Sequence, residues 1–300
     1  MKVTVTGASG RIGTPLVAAL KARGDEVTVL SRNPRQAEQR LGVEAHEWDL
    51  QRRPAPEEAL AGRDAVVHLA GEDIAQRWTD SAKREIRDSR EIGTRNLVAG
   101  MAAAQPRPAL LVCASGSNFY GPHGDEIVDE TAPAGRDWLA DVCVRWERAA
   151  EAAAEHGVRV VRMRQGVVLD ADGGALAKML PFFKAGVGGP VAGGDQYLPW
   201  IHREDLVGLY LAVLDSADFS GPLNAAAPGA ATNKEFARAL GSALHRPAVA
   251  PVPAFTIKLM YGEMAQLVTS GVHMVPGRAA ELGYDFAHPA LDEALRDTLR

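Results

Sequence analysis

Three features predict a doubly wound α/β fold with a parallel sheet and a smaller, mainly helical C-terminal domain. Apolar strand-like runs alternate with amphipathic stretches over roughly the first half of the chain, the pattern that builds a parallel sheet. A glycine-spaced loop, Thr6-Gly7-Ala8-Ser9-Gly10-Arg11-Ile12-Gly13, joins the first run to the first helical pattern. After about residue 165 the texture changes: Gly173-Gly174, Gly188-Gly189-Pro190 and Gly193-Gly194 break the alternation, and the segments beyond are mainly helical with prolines between them.

Taken in order, strands are expected at 3–6, 26–30, 43–48, 65–69, 109–113 and 159–162, each rich in Val, Leu or Ala and bounded by polar or glycine-bearing turns. Helices are expected at 11–22, 34–41, 55–61, 80–104 and 137–156, the last reinforced by the alanines from Ala149 to Ala154. Right-handed crossovers would place these helices on both faces of the sheet, giving a Rossmann-type domain. The expected division is a nucleotide-binding domain at 1–169, with 195–225 returning to it, and a smaller substrate domain over most of 170–300.

A chain of 300 residues with 46% hydrophobic and 24% charged residues can bury one large core, or a large and a smaller one. No apolar run approaches the roughly 20 residues of a spanning helix, and the first strand leaves no room for a signal peptide, so a cytoplasmic protein without a membrane partner is expected. Cys113 and Cys143 lie in apolar-periodic segments rather than at metal spacing, which points to buried thiols, no disulfide and no metal. A net charge of −5 and arginines scattered among acids provide no basic surface for nucleic acid.

The loop at 6–13 carries the first chemical signal. A strand before it and a helix after it meet the structural condition for a dinucleotide site. Gly7 permits the tight turn, Gly10 lets backbone approach a pyrophosphate, and Gly13 lets helix and strand pack closely, with Ser9, Arg11 and Ile12 supplying the intervening backbone at the helix N-terminus. The end of the second strand faces the adenosine ribose. An acidic residue there would bond a 2′-hydroxyl, whereas Ser31 and Arg32 suit a 2′-phosphate, so NADP(H) is expected, with Arg11 as a possible second cation. Asp49 and Leu50 would border the adenine, and Leu69-Ala70-Gly71 would let backbone pass the cofactor ribose.

TGASGRIG, HLAG and the serine-bearing CASGSNFYG resemble an extended short-chain dehydrogenase/reductase, and longer strings resemble its YfcH-like branch of epimerase-family proteins. Among these are LAGEDIAQRWTDSAKREIRDSR, RMRQGVVLDADGGALAKML, GVGGPVAGGDQYLPWIHREDL and LGYDFAHPALDEAL, so the resemblance covers nearly the whole chain. It implies an NADP-binding Rossmann domain with a small C-terminal domain and leaves the reaction open. The superfamily's catalytic YxxxK pair is missing: the stretch reads Cys143-Val144-Arg145-Trp146-Glu147, and the asparagine usual on the preceding helix is replaced near Arg90. The resemblance also implies that Arg90 reaches a cofactor oxygen while Glu85 orients the ribose, and that the backbone from Gly166 to Val168 meets the nicotinamide amide.

Candidates for a rebuilt catalytic site are Ser115, which either bonds a substrate oxygen or caps a turn, and Tyr120, which either donates a proton or packs beside Phe119. His202 is an acid near neutral pH or the cap of the helix that starts near Glu204; Trp200 packs the domain junction, and Met179, Pro181, Phe182 and Phe183 line a pocket or a core. Two functions follow. One is an NADP(H)-dependent oxidoreductase or epimerase acting on a small-molecule or sugar-nucleotide substrate, as a monomer or homodimer. The other is a catalytically silent NADP(H)-binding regulatory protein of the kind linked to cell division.

Overall fold

The computed structural model describes all residues from Met1 to Arg300. Its first half runs β1 (Lys2–Thr6), α1 (Gly13–Ala22), β2 (Glu26–Ser31), α2 (Pro34–Leu41), β3 (Glu44–Glu47), β4 (Ala65–His68), α3 (Asp80–Ala103), β5 (Leu110–Gly116), β6 (Ile127–Val128), α4 (Trp138–Glu151) and β7 (Arg159–Gln165). The second half adds β8 (Val167–Leu169), α5 (Gly174–Lys184), β9 (Tyr197–Leu198), β10 (Trp200–His202), α6 (Arg203–Asp215) and β11 (Gly221–Ala225). It closes with β12 (Ala231–Thr232), α7 (Asn233–Ala243), α8 (Ala254–Tyr261), α9 (Gln266–Thr269), β13 (His273–Met274), α10 (Gly277–Glu281) and α11 (Leu291–Thr298).

Seven parallel strands form the central sheet in the order β11-β7-β5-β4-β1-β2-β3. Strand order reverses between β1 and β4, which opens a crevice at their carboxyl ends. β1 is covered on both faces: Val3, Val5, Thr4 and Thr6 have no solvent exposure, and the Thr4 hydroxyl is satisfied by the Ala59 carbonyl at 2.5 Å. On one face Leu16, Val17 and Leu20 of α1 join Leu206, Tyr210 and Val213 of α6 over Val5, Val29 and Val112. On the other face Leu97 and Met101 of α3 meet Trp146 and Ala150 of α4 over Val66 and Leu111. A third core packs α5, α7 and α11 through Leu180, Phe183, Phe236, Leu240 and Leu295.

Three expectations on elements are corrected. The helix expected at 55–61 is one 3₁₀ turn, Glu57–Ala59, because Pro54 and Pro56 remove donors and the Ala55 N–H is used by the Asn96 carbonyl of α3. The sixth strand continues to Gln165. A seventh strand, Gly221–Ala225, joins the sheet edge beyond β7, where Pro222 needs no ladder donor on its outer side. No helix is long and apolar enough to cross a membrane.

Candidate cofactor and catalytic site

The glycine loop lies in the crevice between β1 and β4. Gly7 has φ +67°, and a Cβ there would stand 2.7 Å from the Leu69 carbonyl carbon and 2.8 Å from the Ala70 nitrogen. A Cβ on Gly13 would come within 2.3 Å of the Gly7 carbonyl oxygen. Gly10 donates its N–H to that same oxygen at 2.9 Å, closing the turn. α1 begins at Gly13 with no side-chain cap and no acidic residue in its first turn, so its N-terminal donors and positive dipole end are uncompensated by the chain. These features fit a pyrophosphate carried over Ser9-Gly10-Arg11-Ile12-Gly13.

The facing turn, Leu69-Ala70-Gly71, is held by a buried chain of hydrogen bonds. The Thr6 hydroxyl accepts from the Ala70 N–H at 3.2 Å and shares a hydrogen bond with His68 Nδ1 at 2.7 Å, and His68 Nε2 shares another with the Thr94 hydroxyl at 3.1 Å. Burial pushes the His68 pKa down to about 3, so the imidazole is neutral.

At the far end of the crevice Arg32 is exposed and forms no ion pair with the chain. The Ser31 hydroxyl accepts from the Asn33 N–H at 3.1 Å, and Asn33 caps α2. Arg11 lies against Gly173, where a Cβ would meet its Cδ, and so ties the glycine loop to the residues before α5. Asp49 pairs with Arg52 at 3.1 Å, and the Leu50 carbonyl accepts from Asn96 at 2.8 Å. Glu85 is exposed on α3 and accepts from Gln51 at 3.2 Å. Arg90 donates to the carbonyls of Glu72 at 2.9 Å and Ile86 at 3.1 Å, and its guanidinium stands 4.9 Å from the Trp146 ring centre, which pins the cation beside Gly71. Val168, in β8, is half-buried and pairs with Ile201 of β10.

Ser115 ends β5 opposite Arg164 of β7, and both side chains rise under α4. The Ser115 hydroxyl donates to Glu147 Oε1 at 2.7 Å. Arg164 holds both oxygens of Glu147 at 2.9 Å, through Nε to Oε1 and Nη2 to Oε2. Its Nη1 donates to the Tyr120 hydroxyl at 2.9 Å, and Tyr120 donates to Asn224 Oδ1 at 2.6 Å. Asn224 completes the chain by donating to the Val275 carbonyl at 2.8 Å. Ser115, Glu147 and Arg164 are each 5% exposed or less, and Tyr120 and Asn224 are fully buried. Burial pushes the Tyr120 phenol up to about 12. Burial opposes the charge on Arg164, but its contacts with Glu147 outweigh that and raise its pKa further.

The structure therefore joins Ser115 and Tyr120 in one network but leaves the phenol proton committed to Asn224. The Cys143 thiol is buried and pushed up to about 12, which makes it a poor nucleophile or acid.

His202 is not part of this network. Its Nδ1 accepts from the Glu204 N–H at 3.3 Å, capping α6, and its Nε2 lies 3.5 Å from Asp297. The His288 ring lies against it, tilted by 41° with centres 3.8 Å apart, and meets the Glu204 carboxylate at 3.1 Å. His202, Glu204 and His288 offer ligand atoms within 4.8 Å of one another beside a hollow of about 350 Å³ that is also lined by Asp170, Asp172 and Asp297. Burial lowers the His202 pKa. Gln196 bonds the Val191 and Val268 carbonyls, and the Trp200 indole donates to Gly229, so both are structural. Phe183 is buried while Phe182 is half exposed.

Sequence reasoning missed Arg164 and Asn224 altogether and noted Glu147 only as a departure from a motif. The one available signal was the pair of arginines, Arg162 and Arg164, alternating with apolar residues in a strand that should have been buried.

The NAD dependent epimerase/dehydratase family model matches residues 3–226, and a domain of unknown function, DUF1731, matches 252–298. Epimerase family protein SDR39U1 of Bos taurus is 38% identical, with both chains covered in full, and the chloroplastic SDR39U1 homolog of Arabidopsis thaliana is 40% identical over 99% of this chain and 86% of that protein. The crystal structure of human SDR39U1 (isoform 2) with NADPH superposes with a TM-score of 0.88 at 36% identity, covering 99% of each chain. A nucleoside-diphosphate sugar epimerase from Corynebacterium glutamicum gives a TM-score of 0.79 at 31% identity over 100% of this chain and 58% of that one. The chain thus belongs to the NAD dependent epimerase/dehydratase family, among its SDR39U1-like members.

Proposed function

We propose that this protein binds NADP(H) along the β1–β4 crevice and is an NADP(H)-dependent oxidoreductase or epimerase-like enzyme acting on a small-molecule or sugar-nucleotide substrate. The observation that carries the reading is the cradle itself: two glycines whose missing Cβ atoms leave room beside uncapped helix donors, with Ser115 at the end of the neighbouring strand. The human relative solved with NADPH supports the choice of nucleotide. Bound NADP(H) would supply or accept hydride at its nicotinamide ring.

The residues of the chain do the rest. Backbone at 9–13 holds the pyrophosphate, Ser31 and Arg32 hold the 2′-phosphate, and Leu69-Ala70-Gly71 and Val168 flank the ribose and nicotinamide. Ser115 positions the substrate oxygen. Residues 1–169 with 195–225 form the cofactor side, and the rest of 170–300 covers the substrate. The reading is tested by following oxidation of bound NADPH against carbonyl, enone, imine and sugar-nucleotide compounds. Substrate-dependent oxidation that falls at least tenfold in Ser115→Ala is expected. Tight NADPH binding with no turnover on any compound would replace this reading with a silent NADP(H)-binding protein.

A further inference from the structure

Most of the large apolar side chains that the fold leaves in water lie at the end of α5 and between residues 249 and 268. α8 buries no residue, and its Phe255 and Leu259, one helical turn apart on the same face, are 73% and 82% exposed. Val249, shortly before α8, is 82% exposed, and Phe182 and Val187 at the end of α5 are exposed as well. The two segments are neighbours. The Ala192 N–H donates to the Val252 carbonyl and the Val252 N–H to the Pro190 carbonyl, each at 2.9 Å, and a Cβ on Gly186 would touch Pro247 at 3.8 Å. The same region is basic, although the net charge of the chain is −5. Lys184, Arg246 and Lys258 are exposed beside these apolar groups, and Lys258 shares the face of α8 that carries Phe255 and Leu259. Lys234, whose N–H donates to the Gly194 carbonyl at 2.9 Å, and Arg238 follow on α7. None of these five cations forms an ion pair. The carboxylates Glu235 and Glu263 are already engaged, the first by Thr232 and the second by Lys83.

We propose that this face of the C-terminal domain docks on an anionic phospholipid surface, with Phe255 and Leu259 entering the boundary between headgroups and acyl chains and the unpaired cations meeting the headgroups. Bulky apolar side chains flanked by Lys and Arg fit such a surface, because the acyl chains take up the apolar groups while the negative headgroups attract the cations. The long Lys and Arg stems let the charges stay at headgroup level while the apolar groups go deeper. A second copy of the chain is a poorer occupant, since a two-fold contact would set these cations against themselves. A nucleic acid would satisfy the cations and leave Phe255 and Leu259 in water. The protein would lie on the bilayer without crossing it, so the lack of a long apolar run, which led to the expectation of no membrane partner, has no bearing on this mode of contact. The docking face is independent of the NADP(H) crevice.

The test is co-sedimentation of the full chain with vesicles of phosphatidylcholine alone and of phosphatidylcholine with about 30% phosphatidylserine. Binding to the anionic vesicles should be at least about tenfold tighter than to the neutral ones, and should weaken as salt is raised from about 0.05 M to about 0.5 M. Phe255→Ser/Leu259→Ser and, separately, Arg246→Glu/Lys258→Glu should each lower binding to the anionic vesicles about tenfold. Both pairs of positions are exposed, so circular dichroism and urea midpoints should match the wild-type protein. No binding to anionic vesicles, equal binding to both kinds of vesicle, or binding unchanged in both double variants would overturn the assignment. So would self-association in sedimentation velocity that is abolished by Phe255→Ser/Leu259→Ser and takes the place of vesicle binding, which would assign the face to a second copy of the chain.

Discussion

The two ends of the crevice solve opposite problems. At the glycine loop the chain leaves polar groups unpaired: α1 starts without a cap and Arg32 carries no partner, while the absence of side chains makes room. At Ser115 every strong polar group is paired within the protein, from Glu147 through Arg164 and Tyr120 to Asn224. The first arrangement suits a ligand that brings its own charge. The second suits a fixed dipole whose direction must not change, since a fully satisfied buried network has no second arrangement of equal energy.

Breaking the second end should cost most. Glu147→Ala leaves the Arg164 guanidinium buried without its carboxylate, and a loss of about 3–5 kcal/mol is expected in urea unfolding. A loss below about 1 kcal/mol would mean that water or another group replaces the carboxylate, and that the Ser115 proton is not held as described.

Breaking the first end should be milder for the fold and worse for the ligand. Gly13→Ala sets a Cβ 2.3 Å from the Gly7 carbonyl oxygen, so the loop or α1 must shift. About 2–3 kcal/mol of stability should go, together with NADPH binding. Retained binding at full stability would show that the loop opens without cost.

The pH dependence sharpens the comparison at the turn that faces the glycine loop. The His68 pKa is near 3 in the folded protein and about 6.5 once exposed, so the unfolded state binds the extra proton. Its contribution is fully present above pH about 6.5 and is lost as pH falls toward about 3, with a slope of about 1.4 kcal/mol per pH unit. Urea midpoints measured across this range should fall less steeply in His68→Gln. Parallel slopes for the two proteins would place the acid sensitivity elsewhere.

The same contrast explains what could be read from the sequence. The glycine loop was legible because its parts are contiguous and each glycine answers to a local steric demand. The strands of the sheet were legible because burial on both faces leaves nearly unbroken apolar runs such as Ala65–His68. β11 was not, since Gly221-Pro222-Leu223-Asn224-Ala225 carries three residue types that strands disfavour and survives at an edge. The Ser115 network was not legible either. Its members come from β5, the 3₁₀ turn Ser117–Tyr120 that follows it, α4, β7 and β11, and the register that sets Ser115 beside Arg164 brings them together. Tyr120 looked like an acid because residue type was visible and its partner Asn224 was not, whereas His202 takes the cap role that the sequence also offered, accepting from the Glu204 N–H.

Whether the first end of the crevice is shaped for NADP(H) is decided by fluorescence titration of NADPH and NADH into the wild-type protein and Arg32→Glu. NADPH should bind the wild-type protein at least tenfold more tightly than NADH, a difference of about 1.4 kcal/mol, and Arg32→Glu should remove that preference while leaving NADH affinity nearly unchanged. Equal affinities in the wild-type protein, or equal losses of both nucleotides in the variant, would contradict the assignment of the 2′-phosphate to Ser31 and Arg32.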